Sequence, residues 1–434
     1  MKNKLFVRCN DSASLLGAAP SLFGTVCDEL VLDGTTETSF DGCIAALMAN
    51  GYEKASERVL AGGKIITLTK EDRTVNAIYK NVGGWVRVAL EDTTPVANTE
   101  PAPFKKITTT QVVLLGTEPK RLEGGRANGE SVVIRLEDGR FIVIDGFEDA
   151  CSLGGKIDNP SNPDCYDNIE WFLETIHELA KDYTDTPVVA GWFITHDHGD
   201  HDDMLRLDHK LLKEGKIEVE NIYGNFHSNR DCMREEAGIG NTEIMNRMGP
   251  AAETFGAKIN RVHVGQKLYI ANCEADVLYD WGFRSPSNGF VNVNDITVSV
   301  KFTFTDSETG KKNTLMSLGD SPSESIMTSI QMFGEEFMKS DMMTVPHHGY
   351  GSGNDALMCE VYKIISPTYV LLPRGISHLG AGAEGFGKGL PSDNLLINNE
   401  TIKTIKACYY SGISGQKTVI SLPSFDIESE TELK

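Results

Sequence analysis

No cysteine of this 434-residue chain stands in a CxxC pair. The nine present (Cys9, Cys27, Cys43, Cys151, Cys165, Cys232, Cys273, Cys359, Cys408) are scattered and odd in number. That distribution argues against a zinc ribbon or a disulfide framework and fits reduced structural thiols in a cytoplasmic protein. No stretch approaches the ~18 to 20 uninterrupted apolar residues of a membrane-spanning helix, and the amino-terminal segment after Lys2 and Lys4 is too weakly apolar to read as a secretory signal. Basic residues are also scarce: 41 Lys and Arg against 62 Asp and Glu give a formal charge of −21. Such an excess repels phosphate backbones at long range and excludes broad electrostatic attachment to duplex nucleic acid. It leaves open small substrates and a local basic or metal site. Fixed-period repeats and low-complexity tracts are lacking as well.

What is present is ordinary globular composition, 40% hydrophobic and 24% charged, at a length fitting roughly two or three domains of ~150 residues. The first hundred residues read as a separate module. Ile44, Leu47, Met48, Ala55 and Val59 recur at helical spacing over Asp41 to Leu60, with Gly62-Gly63 as the stop. Short β-rich runs follow at Lys64 to Thr69, Val75 to Lys80 and Trp85 to Leu90, the last two joined across Gly83-Gly84. The Pro-, Thr- and acid-rich segment from Glu91 to Lys105 is poorly suited to core packing. A boundary there gives a small α+β unit over residues 1–104, of unreadable role, and a larger unit over residues 105–434.

The larger unit reads as α/β. Val112 to Gly116, Ser131 to Leu136 and Arg140 to Asp145 are strands, the last two joined by the Glu137-Asp138-Gly139 turn. Asp167 and Glu170 make a capping-box pattern ahead of the apolar stripe Ile169, Phe172, Leu173, Ile176, Leu179 and Ala180. A buried strand, VVAGWFIT, then delivers the chain into Thr195-His196-Asp197-His198-Gly199-Asp200-His201. Alternation on an extended backbone places His196 and His198 on one side, and Gly199 allows the turn that brings Asp200 and His201 round to an adjacent position. Imidazole and carboxylate together suit zinc and similar first-row ions, and so dense a cluster can begin two adjacent metal sites.

These residues resemble the HxHxDH signature of the metallo-β-lactamase superfamily. The resemblance covers roughly Lys106 to the C-terminus and includes Asp145-Gly146 after the first hairpin, Asp320 at the end of TLMSLGD, and His347 and His348 in MMTVPHHGYGS. A Gly-Asp strand end followed by Pro-His-His-Gly looks most like the metallo-β-lactamase domain of the DNA-uptake competence proteins. The implied fold is α/β, a four-layer αββα metallo-β-lactamase sandwich. The implied cofactor is a pair of zinc ions, with manganese or iron as alternatives. His196 and His198 would hold the first ion and Asp200 and His201 the second. Asp320 would bridge them, and His347 or His348 would complete the second site. The family's remaining histidine is where the sequence departs. Asp280 stands at the tip of the expected strand Val277 to Trp281, with His227 and His263 as the other candidates.

The chemistry implied is metal-assisted hydrolysis, in which a water bridging two cations loses its proton near neutral pH. Asp200 would orient that water, and Asp145 would support the metal loops as an acceptor. His378, ahead of the glycine-rich loop Gly380 to Gly389, is the spare group for protonating a leaving group. The competence branch has a Gly-His-Pro motif near here, whereas this chain has Gly389-Leu390-Pro391. Trp192 reads as core. Arg374 reads equally as an anion contact or a solvated arginine. The Gly124-Gly125 and Gly351-x-Gly353 pairs lack the context of a nucleotide fingerprint. The branch resemblance favours a small or single-stranded phosphodiester, or a phospholipid-type ester. The alternatives are a carboxylic ester, thioester or lactam at the same centre, or a non-catalytic binding module.

Overall fold

A computed structural model describes residues 5–7, 28–32, 34–71, 73–92, 100–117, 129–147, 167–225, 244–280, 283, 293–350, 353–374 and 405–433. Among the described residues three sheets are present. The N-terminal sheet is antiparallel, in the order Leu5–Val7, Asp28–Leu32, Trp85–Asp92, Arg73–Lys80, Gly63–Lys70, Glu53–Leu60. The helix Glu37–Ala49, whose N-cap Thr36 accepts from the Ser39 amide, packs Phe40, Ile44 and Leu47 against it.

One expectation fails here. The helix ends at Ala49, and Glu53–Leu60 is an edge strand paired with Gly63–Lys70. The apolar positions beyond Gly51 also satisfy period 2, and pairing with a neighbouring strand outweighs the helical pattern. Ala61-Gly62 is therefore a hairpin turn, Gly63 opens the next strand and the glycine pair is not a helix stop, and Val59 is 73% exposed.

The two larger sheets stack face to face. The first runs Lys258–Arg261, Asn221–Gly224, Val188–Phe193, Phe141–Ile144, Val132–Arg135, Gln111–Leu115, Lys417–Ser421, Asp426–Ser429, parallel through its first four strands. The second runs Lys267–Ile270, Cys273–Tyr279, Ser299–Thr305, Lys312–Ser317, Met342–Thr344, Tyr369–Leu372, Ala407–Tyr410, Glu432–Leu433, parallel from Lys312–Ser317 to Ala407–Tyr410.

Apolar side chains on the two inner faces, including Ile134, Ile142, Phe193, Val277, Phe302 and Leu315, form one core. Helices Asp167–Ala180, Gly199–Leu207, His209–Glu214 and Ile244–Phe255 cover the outside of the first sheet through a second core around Phe172, Trp192 and Met204. Helices Ser323–Phe333 and Asp355–Ile365 cover the outside of the second. The layers are thus α, β, β, α, the architecture that the sequence implies. Trp192 is fully buried, as a core residue.

The N-terminal sheet shares the last of these cores. Ile65, Ile78 and Trp85 pack with Leu278, Phe283, Ile330 and Phe333. The Gly62 amide donates to the Met332 carbonyl at 2.8 Å, and Arg58 reaches the Gly265 carbonyl and Asp276, each at 2.8 Å. Cys43, Cys273, Cys359 and Cys408 are free thiols. Among the described residues no helix is long and apolar enough to cross a membrane.

Candidate metal centre

Parallel strands bring their C-terminal ends, and the loops that leave them, to one edge of a sheet. Here Phe141–Ile144 delivers Asp145, Val188–Phe193 delivers the histidine run, Lys312–Ser317 delivers Asp320, Met342–Thr344 delivers His347 and His348, and Tyr369–Leu372 delivers Pro373. Among the described residues, three groups bring at least three potential metal-ligating atoms within 4.8 Å of one another: His196, His198 and Asp320; Asp200, His201 and His348; and Glu130, Asp145 and His201.

A carboxylate oxygen of the first group, Asp320 Oδ1, stands beside two members of the second. His201 Nε2 lies 3.0 Å from His348 Nε2, 3.1 Å from Asp320 Oδ1 and 4.0 Å from Asp200 Oδ2. His348 Nε2 lies 3.2 Å from Asp200 Oδ2 and 3.4 Å from Asp320 Oδ1. Ligand atoms at ~2.0 to 2.1 Å around a tetrahedral zinc stand about 3.4 Å apart, and these separations lie close to that value. The other oxygen, Asp320 Oδ2, faces His196 Nε2 at 3.6 Å, and His196 Nε2 lies 3.0 Å from His198 Nδ1. The residues present therefore fit a pair of cations on either side of Asp320.

Outer contacts fix which nitrogen each imidazole presents. His201 donates from Nδ1 to Asp145 Oδ2 at 2.7 Å, and His348 donates from Nδ1 to the Pro373 carbonyl at 2.6 Å. Asp145 also accepts from the Thr195 amide at 2.7 Å and the Thr195 hydroxyl at 2.8 Å, and that hydroxyl lies 3.1 Å from His196 Nδ1. Nε2 of His196, His201 and His348 is thereby turned inward, the arrangement by which outer partners orient ligating histidines. Gly319, at φ +46°, has no room for a side chain. A Cβ would stand 2.7 Å from Thr297 Cγ2 and 2.8 Å from Thr195 Oγ1, so the glycine lets the Asp320 loop lie against the histidine loop.

The electrostatics favour positive charge at this point. Burial opposes protonation of His201, but Asp320, Asp145 and Asp200 outweigh it and raise its pKa well above the usual value. His348 is likewise raised to about 9 by Asp320 and Asp200 against the cost of burial. Both Asp200 and Asp320 lie below the usual carboxylate range, held there by His201 and His348 although burial acts the other way. Where protons sit on His201 and His348, a cation satisfies the same carboxylates.

Of the expected residues, His196, His198, Asp200, His201, Asp320 and His348 come together. His347 stands at the edge of the cluster, its Nε2 3.7 Å from Asp320 Oδ2. Asp280 lies in none of the three groups. Its strand ends at Tyr279, and its carboxylate accepts from the Val264 amide at 2.8 Å, lies 3.5 Å from His263 Nδ1 and pairs with Arg87 at 3.8 Å. His227 and His378, the loop Gly380 to Gly389 and the Gly389-Leu390-Pro391 tripeptide fall outside the described residues. Arg374 is 2% exposed, not solvated, and its guanidinium lies 4.8 Å over the Tyr350 ring.

Sequence reasoning passed over Glu130, Thr195 and Asn294. Thr195 had the signal of adjoining the histidine run. Glu130 and Asn294 had none, because each reaches the site through tertiary contact alone. Among the described residues neither carboxylate oxygen of the fully buried Glu130 has a hydrogen-bond partner, and burial, followed by the charge of Asp145, pushes its pKa up to about 8. In the metal-free protein the folded state therefore keeps a proton that the unfolded chain releases above about pH 4.3, so stability falls as pH rises from there towards 8. Glu130→Gln is expected to flatten that fall by a few kcal/mol, read as the pH dependence of the urea midpoint between pH 5 and 8; an unchanged slope contradicts the assignment.

No protein-family profile matches the sequence, and no curated protein matches it either. Solved structures do. The chain is similar in fold to metallo-β-lactamase-fold proteins. One is the metallo-beta-lactamase fold protein YhfI from Bacillus subtilis, at 13% identity and TM-score 0.38 over 72% of this chain and 100% of that one. Another is Igni18, a metallo hydrolase from the hyperthermophilic archaeon Ignicoccus hospitalis, at 11% identity and TM-score 0.36 over 73% and 100%. A diphosphatase from the PhnP family matches at 12% identity and TM-score 0.28 over 61% and 85%.

Proposed function

We propose that the protein is a metal-dependent hydrolase of phosphodiesters, with a dinuclear zinc centre held by His196, His198 and Asp320 on one side and by Asp200, His201, His348 and Asp320 on the other. One observation carries the reading: the two oxygens of Asp320 face two separate sets of inward-turned imidazoles, Oδ1 towards His201 and His348, Oδ2 towards His196. Divalent ions bound there would lower the pKa of water and polarise a phosphoryl oxygen.

The protein's own residues divide the remaining work. Asp145 and the Pro373 carbonyl lock the rings of His201 and His348 by hydrogen bonds. Asp200 is the open carboxylate, its side chain 25% exposed where that of Asp320 is 2% exposed. Staying ionised, Asp200 accepts a hydrogen bond from the attacking water and aligns it. The preference for a phosphodiester rests on the resemblance of Gly319-Asp320 and Pro346-His347-His348-Gly349 to the competence branch. The overall charge of −21 favours a small or single-stranded substrate over a duplex.

Turnover of bis(p-nitrophenyl) phosphate against a p-nitrophenyl acyl ester tests this reading. Hydrolysis of the diester is expected to disappear with a chelator and return with zinc. Metal-dependent turnover of the acyl ester alone would move the substrate to the carboxylic ester class. Less than one equivalent of metal after reconstitution would leave a binding module.

A further inference from the structure

The two sides of Asp320 are unequal. Oδ1 lies within 3.4 Å of His201 and His348, which stand with Asp200, whereas the group on the other side holds two histidines, His196 and His198, beside Asp320. Asp280 does not fill the gap, being held by the Val264 amide and Arg87, and His263 lies beside that same carboxylate. His347 points to the deficient side. Its Nε2 lies 3.7 Å from Asp320 Oδ2, the oxygen that also faces His196 Nε2 at 3.6 Å. Asn294 Nδ2 donates to that nitrogen at 3.1 Å, so Nε2 carries its lone pair here, and a cation bound to it would displace this hydrogen bond.

The backbone explains how neighbouring residues serve opposite sides. Both His347 and His348 adopt left-handed conformations, each at φ 51°, unusual for two successive residues with Cβ atoms. The His347 amide donates to the Gly319 carbonyl at 3.0 Å, tying this turn to the loop that carries Asp320. Two successive left-handed residues fan their side chains around the bridging carboxylate, sending His348 Nε2 towards Oδ1 and His347 Nε2 towards Oδ2.

We infer that both histidines of Pro346-His347-His348-Gly349 are ligands, one to each cation, with His347 completing the His196, His198 and Asp320 side. The inference rests on the metal-centre reading above and adds a donor to it. It also gives a role to a histidine that, beside an adequate second site, would otherwise be redundant.

The test is zinc-binding stoichiometry and affinity by chelator competition on the full chain, with the cobalt(II) absorption spectrum as a second readout. His347→Asn and His347→Gly both tolerate a positive φ, so the turn survives while the imidazole is removed. Mutations of outer partners cost ~10 to 100-fold in metal affinity. Loss of His347 is therefore expected to weaken one of the two equivalents by more than ~100-fold and leave the other unchanged, with the cobalt bands of only one ion altered. Where one of the two His347 variants does not fold, the other carries the test. Two equivalents of unchanged affinity and an unchanged cobalt spectrum in His347→Gly overturn the inference alone. A wild-type chain that binds one equivalent, insensitive to His347, also overturns it. A wild-type chain that binds no metal overturns the metal-centre reading with it.

Discussion

Asp320→Ala is expected to reduce metal-dependent hydrolysis by at least ~1000-fold and to lower bound zinc from two equivalents to less than one. The reason is its position. The oxygens of Asp320 face both histidine sets, at 3.1 and 3.4 Å on one side and 3.6 Å on the other. Metal ions supply several kcal/mol of transition-state stabilisation, and each ~1.4 kcal/mol is a factor of ten in rate. Asp320→Asn separates charge from shape: the amide keeps the volume but removes the anion that neutralises the cations, so it should lose nearly as much. Metal analysis beside steady-state rates checks both variants. Retention of two zinc equivalents and of activity within tenfold would remove Asp320 from the centre.

The second large effect lies outside the metal centre. Arg87→Met is expected to destabilise the protein by about 3 to 5 kcal/mol, because it leaves the Asp280 carboxylate buried without its cationic partner. Both side chains are fully buried, Arg87 on the N-terminal sheet and Asp280 just beyond Cys273–Tyr279. In the wild type, burial works to raise the pKa of Asp280, but the bond from His263, the charge of Arg87 and the Val264 amide together hold it below the usual carboxylate range. The pair therefore adds stability above the unfolded carboxylate pKa, and that stability is lost as pH falls through the lower folded value.

Without Arg87 the balance tips towards burial and the folded pKa rises. The variant's deficit should then be greatest at neutral pH and shrink below about pH 4, where the carboxyl is neutral in both states. The double variant Arg87→Met with Asp280→Asn should recover much of the loss. Urea denaturation of the two single variants and the double variant forms a double-mutant cycle. A coupling near zero would sink the assignment of Asp280 to this ion pair.

That pair also bears on the first hundred residues. The N-terminal unit has a core of its own around Phe40, Ile44, Leu68 and Val88, and it also meets the rest through apolar packing. Here Ile65, Ile78 and Trp85 belong to the core that covers the second large sheet, and Arg87 neutralises a carboxylate belonging to that sheet. The N-terminal sheet is thus part of what supports the strand end at Asp280, where the superfamily resemblance led to an expected metal ligand.

Much was legible in the sequence because its determinants are local. The continuous apolar run before Thr195 identifies a buried strand. The spacing of His196, His198, Asp200 and His201 forces four polar side chains to one strand end whatever the rest of the chain does. The hairpin around Gly139 and the helix Asp167–Ala180 follow from turn chemistry and periodicity of the same short range. The segment Glu53–Leu60 is ambiguous in sequence because its apolar residues satisfy two periods, and only a neighbouring strand selects between them.

Long-range contacts decided the rest. His348 meets His201 across 147 positions, and Glu130 and Asn294 reach the site without any motif of their own. The side of Asp320 that His347 faces depends on two left-handed residues that no spacing rule specifies. Asp280 could have been a ligand or a buried counter-ion by sequence, since a carboxylate serves either purpose. An arginine 193 positions earlier, brought alongside by the packing of the N-terminal sheet, places it in an ion pair. The sequence by itself determined the donor types and their delivery to a strand end. The tertiary structure decided which donors converge, because convergence depends on backbone direction and on burial, which are properties of the packed chain.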